Sequence, residues 1–125
     1  MKKILIPILL MSLLFYGLVY ALGPAPSPFE KIKEYAMRAS PDKGGNYVLE
    51  IQVNINDTRD WFAFGYLPQH KVICFGYSQE GALFYEEDTR RFFAWYKGIM
   101  IEIDEKTATE TAYRWFRLMV KKHLV

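Results

Sequence analysis

Few side chains in this 125-residue chain are of kinds that move protons, hold metals or attack electrophiles, and their spacing limits what each can do. His70 follows Pro68-Gln69 in a predicted turn, and His123 closes a basic run near the last residue. Neither has a second ligand at the spacing a metal site uses, so a metal or an acid–base role for His70 would require acids from distant parts of the chain. The densest acidic run is Glu86-Glu87-Asp88. Calcium is held by spaced oxygen ligands on a turning loop, commonly with glycine, and this run lacks that pattern. It reads as a solvated turn partly neutralised by Arg90-Arg91. Asp104-Glu105 sits where acids favour the start of a helix.

Cys74 is the single cysteine and lies between Ile73 and Phe75. It reads as a small buried apolar residue, and no intramolecular disulfide can form. There is no phosphate-cradling glycine loop, nucleophile elbow, His-Glu-x-x-His or paired cysteine. No metal, no cofactor and no catalytic residue is expected. Asn56-Asp57-Thr58 matches a glycosylation sequon and is read as a turn.

What stands above background is aromatic density. Trp61, Phe62, Phe64, Tyr66, Phe75, Tyr77, Phe84, Tyr85, Phe92, Phe93, Trp95 and Tyr96 fall within one stretch, several of them as adjacent pairs. Neighbours on a strand point to opposite faces. If this stretch is a sheet, both faces carry large apolar groups, and the second face must be covered by helix, barrel closure, ligand or partner. Trp and Tyr are the usual anchors of protein interfaces, which singles out Trp61, Tyr66, Trp95 and Tyr96 as partner-binding candidates.

The elements that would position these residues follow from periodicity. Ser27 as N-cap, Pro28 at the first helical position and Glu30 three residues after the cap predict a helix. Phe29, Ile32, Ala36 and Ala39 give its apolar stripe, and Ser40-Pro41 ends it, so the helix is expected over 28–39. Over 47–56, Tyr47, Leu49, Ile51, Val53 and Ile55 alternate with polar residues, apart from Val48, as in a half-buried strand. Strands are then expected at 61–67, 71–78, 82–87, 92–97 and 99–104, joined by hairpin-length turns. Thr107 and Glu110 form a second capping box, opening a helix over 107–122 with Ala108, Ala112, Trp115, Phe116 and Met119 inward. The fold class is therefore α+β: an N-terminal helix, an antiparallel meander of about five or six strands, and a C-terminal helix packed on the sheet. In element order alone this layout resembles cystatin-like or NTF2-like domains, an analogy that carries no function.

The N-terminus bears on location. Lys2-Lys3 precede an uncharged apolar run from Ile4 to Leu22, with Val19 and Ala21 at positions where a signal peptidase takes small residues. Residues 1–21 read as a signal peptide, residues 22–27 as a proline-rich spacer and residues 28–125 as one domain. The run is also about 28 Å long as a helix, which leaves an uncleaved signal anchor open. The whole chain has a formal charge of +2, and losing Lys2 and Lys3 leaves 14 basic against 14 acidic residues. That balance argues against a nucleic-acid partner.

The expectation is a small exported, periplasmic or secreted, non-catalytic module that binds another protein: an inhibitor, an immunity protein or an accessory subunit of an envelope complex. The alternatives are a carrier with an apolar pocket for a small ligand inside a curled sheet, and a small enzyme using scattered acids and His70. Membrane contact is expected only if residues 4–22 are retained. N-terminal sequencing of the natively exported protein should return Leu22; a chain that begins at Met1 and needs detergent for extraction establishes the anchor instead.

Overall fold

The computed structural model describes residues 27–53 and 59–124. The signal segment, the spacer up to residue 26, the end of the predicted 47–56 strand and the Asn56 sequon lie outside the described residues, as does the His123 side chain. In chain order the elements are α1 (Ser27–Ala36), β1 (Tyr47–Gln52), β2 (Trp61–Leu67), β3 (Val72–Tyr77), β4 (Gly81–Glu86), β5 (Arg91–Tyr96), β6 (Ile99–Ile103) and α2 (Glu105–Leu124). All strands pair antiparallel with their sequence neighbours, giving one sheet of order β1-β2-β3-β4-β5-β6. The class is α+β, as the pattern of elements predicts.

Register decides which residues share a face. Leu49 pairs with Phe64 and Ile51 with Phe62; Phe64 pairs with Phe75 and Phe62 with Tyr77. Phe75 in turn pairs with Leu83 and Ile73 with Tyr85, then Tyr85 with Phe92. These side chains form the buried face. Both helices lie on it. Phe29 of α1 packs on Tyr85 and Phe92 with ring centroids 5.6 and 5.4 Å apart, while Tyr35 reaches Phe64 at 5.2 Å. From α2, Trp115 meets the edge of Phe75 at 5.5 Å and Phe116 lies 4.9 Å from the same ring. Each helix thus crosses the strands in the same direction, from the late strands toward β2, and Tyr35 meets Phe116 between them at 6.3 Å.

Two boundaries differ from expectation for local reasons. The N-terminal helix stops at Ala36 rather than 39, because Arg38 and Ala39 donate to carbonyls only three residues back. The apolar stripe continues through this tighter turn, so periodicity could not see the change. The second helix starts at Glu105, not at Thr107. Asp104 Oδ1 accepts the Thr107 N–H at 2.7 Å and its carbonyl accepts from Ala108 at 3.0 Å, which makes Asp104 the N-cap. The Thr107 backbone N–H, aided by the Thr107 side chain, holds the Asp104 carboxyl below its ordinary pKa.

Charged pairs pin the helix layer to the sheet. Lys33 Nζ donates to Glu87 Oε2 at 3.0 Å, and Tyr66 Oη donates to Glu87 Oε1 at 2.9 Å. Burial is the largest influence on Lys33 and pulls its pKa down, but the hydrogen bond and charge of Glu87 together with Tyr66 outweigh it and the net shift is upward. Arg114 and the Trp115 indole both donate to Glu80 in the β3–β4 turn, the latter at 3.0 Å. Lys122 donates to the buried Asp60 at 3.1 Å. Removal of the central ring by Phe75→Ala should cost about 3–5 kcal/mol in denaturant unfolding. Glu50→Ala, on the exposed side of β1, should stay within about 0.5 kcal/mol.

Candidate functional site

The Glu86-Glu87-Asp88 run disperses in three directions. Glu87 turns inward to Tyr66 and Lys33, Glu86 accepts from Thr89 at 2.7 Å, and Asp88 lies 3.5 Å from Lys71. The ion pairs come from Lys33 and Lys71; Arg91 stands opposite Glu86 across the strand pair and feels its charge, as expected, but its side chain pairs with Glu102 at 2.7 Å. His70 is exposed in the β2–β3 turn. Among the described residues no three His, Cys, Asp or Glu side chains stand together as a metal site would need.

The twelve aromatics of the meander divide unequally. Phe62, Phe64, Tyr66, Phe75, Tyr77, Tyr85 and Phe92 are buried under the helices. Tyr66 therefore corrects the expectation of an exposed anchor there. It is 9% exposed, bonded to Glu87 and covered by Lys33, whose Nζ lies 4.4 Å above its ring. Tyr96 is on the same face but beyond the helix layer and is 48% exposed. Trp61 and Trp95, with Phe84 and Phe93, fall on the opposite face, which neither described helix covers. The idea that the chain's own helices cover both faces fails for the described residues, because α1 and α2 share one side.

On that open face the two tryptophans border one depression. Ala63 pairs with Gly76 and Gly65 with Cys74, while Gly76 pairs onward with Ala82. Side chains this small leave the backbone nearly bare, so they form a floor. The walls are larger: Trp61 and Ser78 at one end, Leu67 at the other, Val48 on the β1 side and Trp95 on the β5 side. The enclosed volume is about 430 Å³. Trp61 is held by its backbone, since its N–H donates to Ser78 Oγ at 2.9 Å and its carbonyl accepts from Ser78 at 3.0 Å. The preceding Asp60 is tied to Lys122. Trp95 is set by Gly81, which has φ +111° and sits so close that a Cβ there would lie 2.1 Å from the Trp95 carbonyl oxygen. Only glycine allows that approach.

The trough contains no carboxylate, imidazole or amine among its lining residues. Its one thiol among those lining residues is Cys74, which burial pushes up to about 12, so it is protonated at neutral pH, and the lining hydroxyl of Ser78 accepts from the Trp61 N–H. Apolar contact is the chemistry such a surface offers. A second apolar groove of about 440 Å³ lies on the helix face, where α2 fails to reach the end of the sheet. Ile99, Ile101 and Tyr96 form its floor, and Thr107, Thr111 and Arg114 its rim. The four predicted anchors thus divide three ways: Trp61 and Trp95 share the trough, Tyr96 faces the second groove, and Tyr66 is core. Missing from the sequence reading were Ala63, Gly65, Gly76 and Ala82. Their signal was present as small residues recurring at every second position on paired strands. No family model, curated protein or solved structure matches the chain.

A pKa of about 12 against an ordinary thiol value near 9 leaves roughly a thousandth of the usual thiolate. Iodoacetamide at pH 8 should accordingly label Cys74 at least about a hundredfold more slowly in the folded protein than in urea. Equal rates would mean that the trough floor is open to solvent.

Proposed function

We propose that this domain works outside the cytoplasm as a non-catalytic module that binds another protein. An apolar ridge of the partner sits in the open-face trough between Trp61 and Trp95. The observation that carries this reading is the trough itself: a floor of Ala63, Gly65, Cys74, Gly76 and Ala82 walled by two tryptophans on a face that neither described helix covers. Small residues admit a partner's side chains down to the backbone, while rigid tryptophans supply contact area at low entropic cost. Contiguous apolar surface of this kind is costly in water unless a partner hides it. The lack of a titratable lining group ready at neutral pH supports binding over catalysis. An inhibitor, an immunity protein or an accessory subunit of an envelope complex all fit this behaviour.

A small apolar ligand is the second reading, favoured by the volume of about 430 Å³, within the range of small-molecule sites. The trough's open side favours a protein surface, which brings its own cover.

Three variants test the proposal. Trp61→Ala and Trp95→Ala each remove a wall. Gly76→Val fills the floor, and its Cβ is accommodated, since the nearest atom is the Gly81 carbonyl oxygen at 3.8 Å. Each should lower capture of the partner from native envelope extract by about tenfold or more while thermal stability holds. Tyr66→Ala should instead lower the melting temperature. Undiminished capture by all three trough variants overturns the reading. Native mass spectrometry that finds a bound small apolar molecule, displaced by Gly76→Val, would establish the carrier reading.

A further inference from the structure

The strand at the end of the sheet carries an observation independent of the trough. Among the described residues, β6 has β5 on one side and no strand on the other. Exposed edges invite pairing, and proteins usually blunt them with lysine, proline, a bulge or charge. β6 reads Ile99-Met100-Ile101-Glu102-Ile103 and has none of the first three. Its single charge is already spent, since Arg91 Nη2 holds Glu102 Oε1 at 2.7 Å. Ile99, Met100 and Ile101 are 66%, 52% and 55% exposed. The other edge, β1, is blunted by Glu50, which is exposed.

From this edge we infer that β6 is a self-association surface, pairing antiparallel with β6 of a second copy of this chain about a two-fold axis at Ile101. Three features select a second copy and this register. The isoleucines are symmetric about Ile101, so Ile101 faces itself and Ile99 faces Ile103. A two-fold axis perpendicular to the sheet keeps both helix layers on one side, and the isoleucines then extend the core across the junction. Charge is complementary at both ends: the register brings Lys97 of one copy to Asp104 and Glu105 of the other, with Lys106 one residue further along the helix. The Lys97-Gly98 turn, with φ +49° and +86°, is the tight form that carries regular pairing up to the hairpin end and so places Lys97 there. Sliding the strands two residues one way opposes Glu102 with Glu102. Sliding them the other way leaves Ile103 opposite Lys97. Only the Ile101-centred register satisfies both the apolar and the charged positions.

Site-specific cross-linking of the full chain, purified in the form its cell makes, tests this. Cys74 is half-buried on the trough floor and its thiol is held protonated, so a single introduced exposed cysteine is the more reactive thiol. Across an antiparallel pair, directly opposed Cα atoms are about 4.5–5.5 Å apart, within disulfide reach, while residues four positions out of register are about 13 Å apart and are not. Under mild oxidation Ile101→Cys should give covalent dimer, Ile99→Cys and Ile103→Cys alone should not, and a mixture of those two should. In sedimentation, Ile101→Lys should weaken the dimer by about tenfold or more with an unchanged circular dichroism spectrum. Lys97→Glu should weaken it as well, and Lys97→Glu with Glu105→Lys should restore it. Trp61→Ala should leave the dimer intact, which separates this surface from the trough. A monomeric parent chain, an Ile101→Cys chain that does not cross-link, or equal cross-linking of Ile99→Cys alone overturns the inference.

Discussion

Phe64, Phe75 and Phe116 meet with ring centroids between 4.9 and 5.9 Å apart, and this three-way contact joins the middle of the sheet to the second helix. Trp115 and Tyr35 extend it sideways, so that both helices rest on one aromatic layer. Large rings suit this task because each buries much area and tolerates tilted or stacked geometry. The consequence is asymmetry. Among the described residues both helices lie on one face and none covers the other, so the six strands form an open sheet with two edges.

Everything on the uncovered side follows from that choice. Its residues cannot all be large, since exposed aromatics on every strand would aggregate. Instead the middle strands present alanine, glycine and cysteine, and the large groups stand at the perimeter. Phe84 stands opposite Phe93 and both are half-buried, with Arg91 5.2 Å above the Phe93 ring. A depression results wherever small residues are framed by large ones. Shape here is a property of register: a slip of one residue would exchange floor and core.

Charge plays a positioning role in this molecule. Lys33 with Glu87, Arg114 with Glu80 and Lys122 with Asp60 each tie a helix to a turn or strand end far away in sequence. Glu80 is held below its ordinary pKa, chiefly by the Arg114 guanidinium. Glu80 and Glu87 each have both carboxylate oxygens engaged, whereas the buried Asp60 is bonded through Oδ2 and its Oδ1 has no hydrogen-bond partner among the described residues. The same pairs fix α2 along its length and, among the described residues, leave Tyr96 at the end of β5 and most of β6 without a cover.

The sequence by itself determined the elements and the class. Period-two alternation over Tyr47–Gln52, tight turns between aromatic runs and apolar stripes at Phe29, Ile32, Ala108, Ala112 and Trp115 are local patterns, and local backbone preference suffices to read them. It also held the aromatic surplus and the apolar N-terminal run. Only the tertiary structure decided where the surplus goes. Whether Tyr66 or Trp61 meets water depends on which face the helices choose, and neighbouring strands present both kinds of residue with the same period. The cap at Asp104 and the trough floor were hidden for a related reason. Thr107 and Asp104 both have capping chemistry, and the choice rests on where β6 releases the chain. Glycine and alanine carry no strong pattern of their own. They become a site when antiparallel pairing sets Ala63 beside Gly76 and Gly65 beside Cys74, because distant strands come together through long-range packing that no short stretch of sequence encodes.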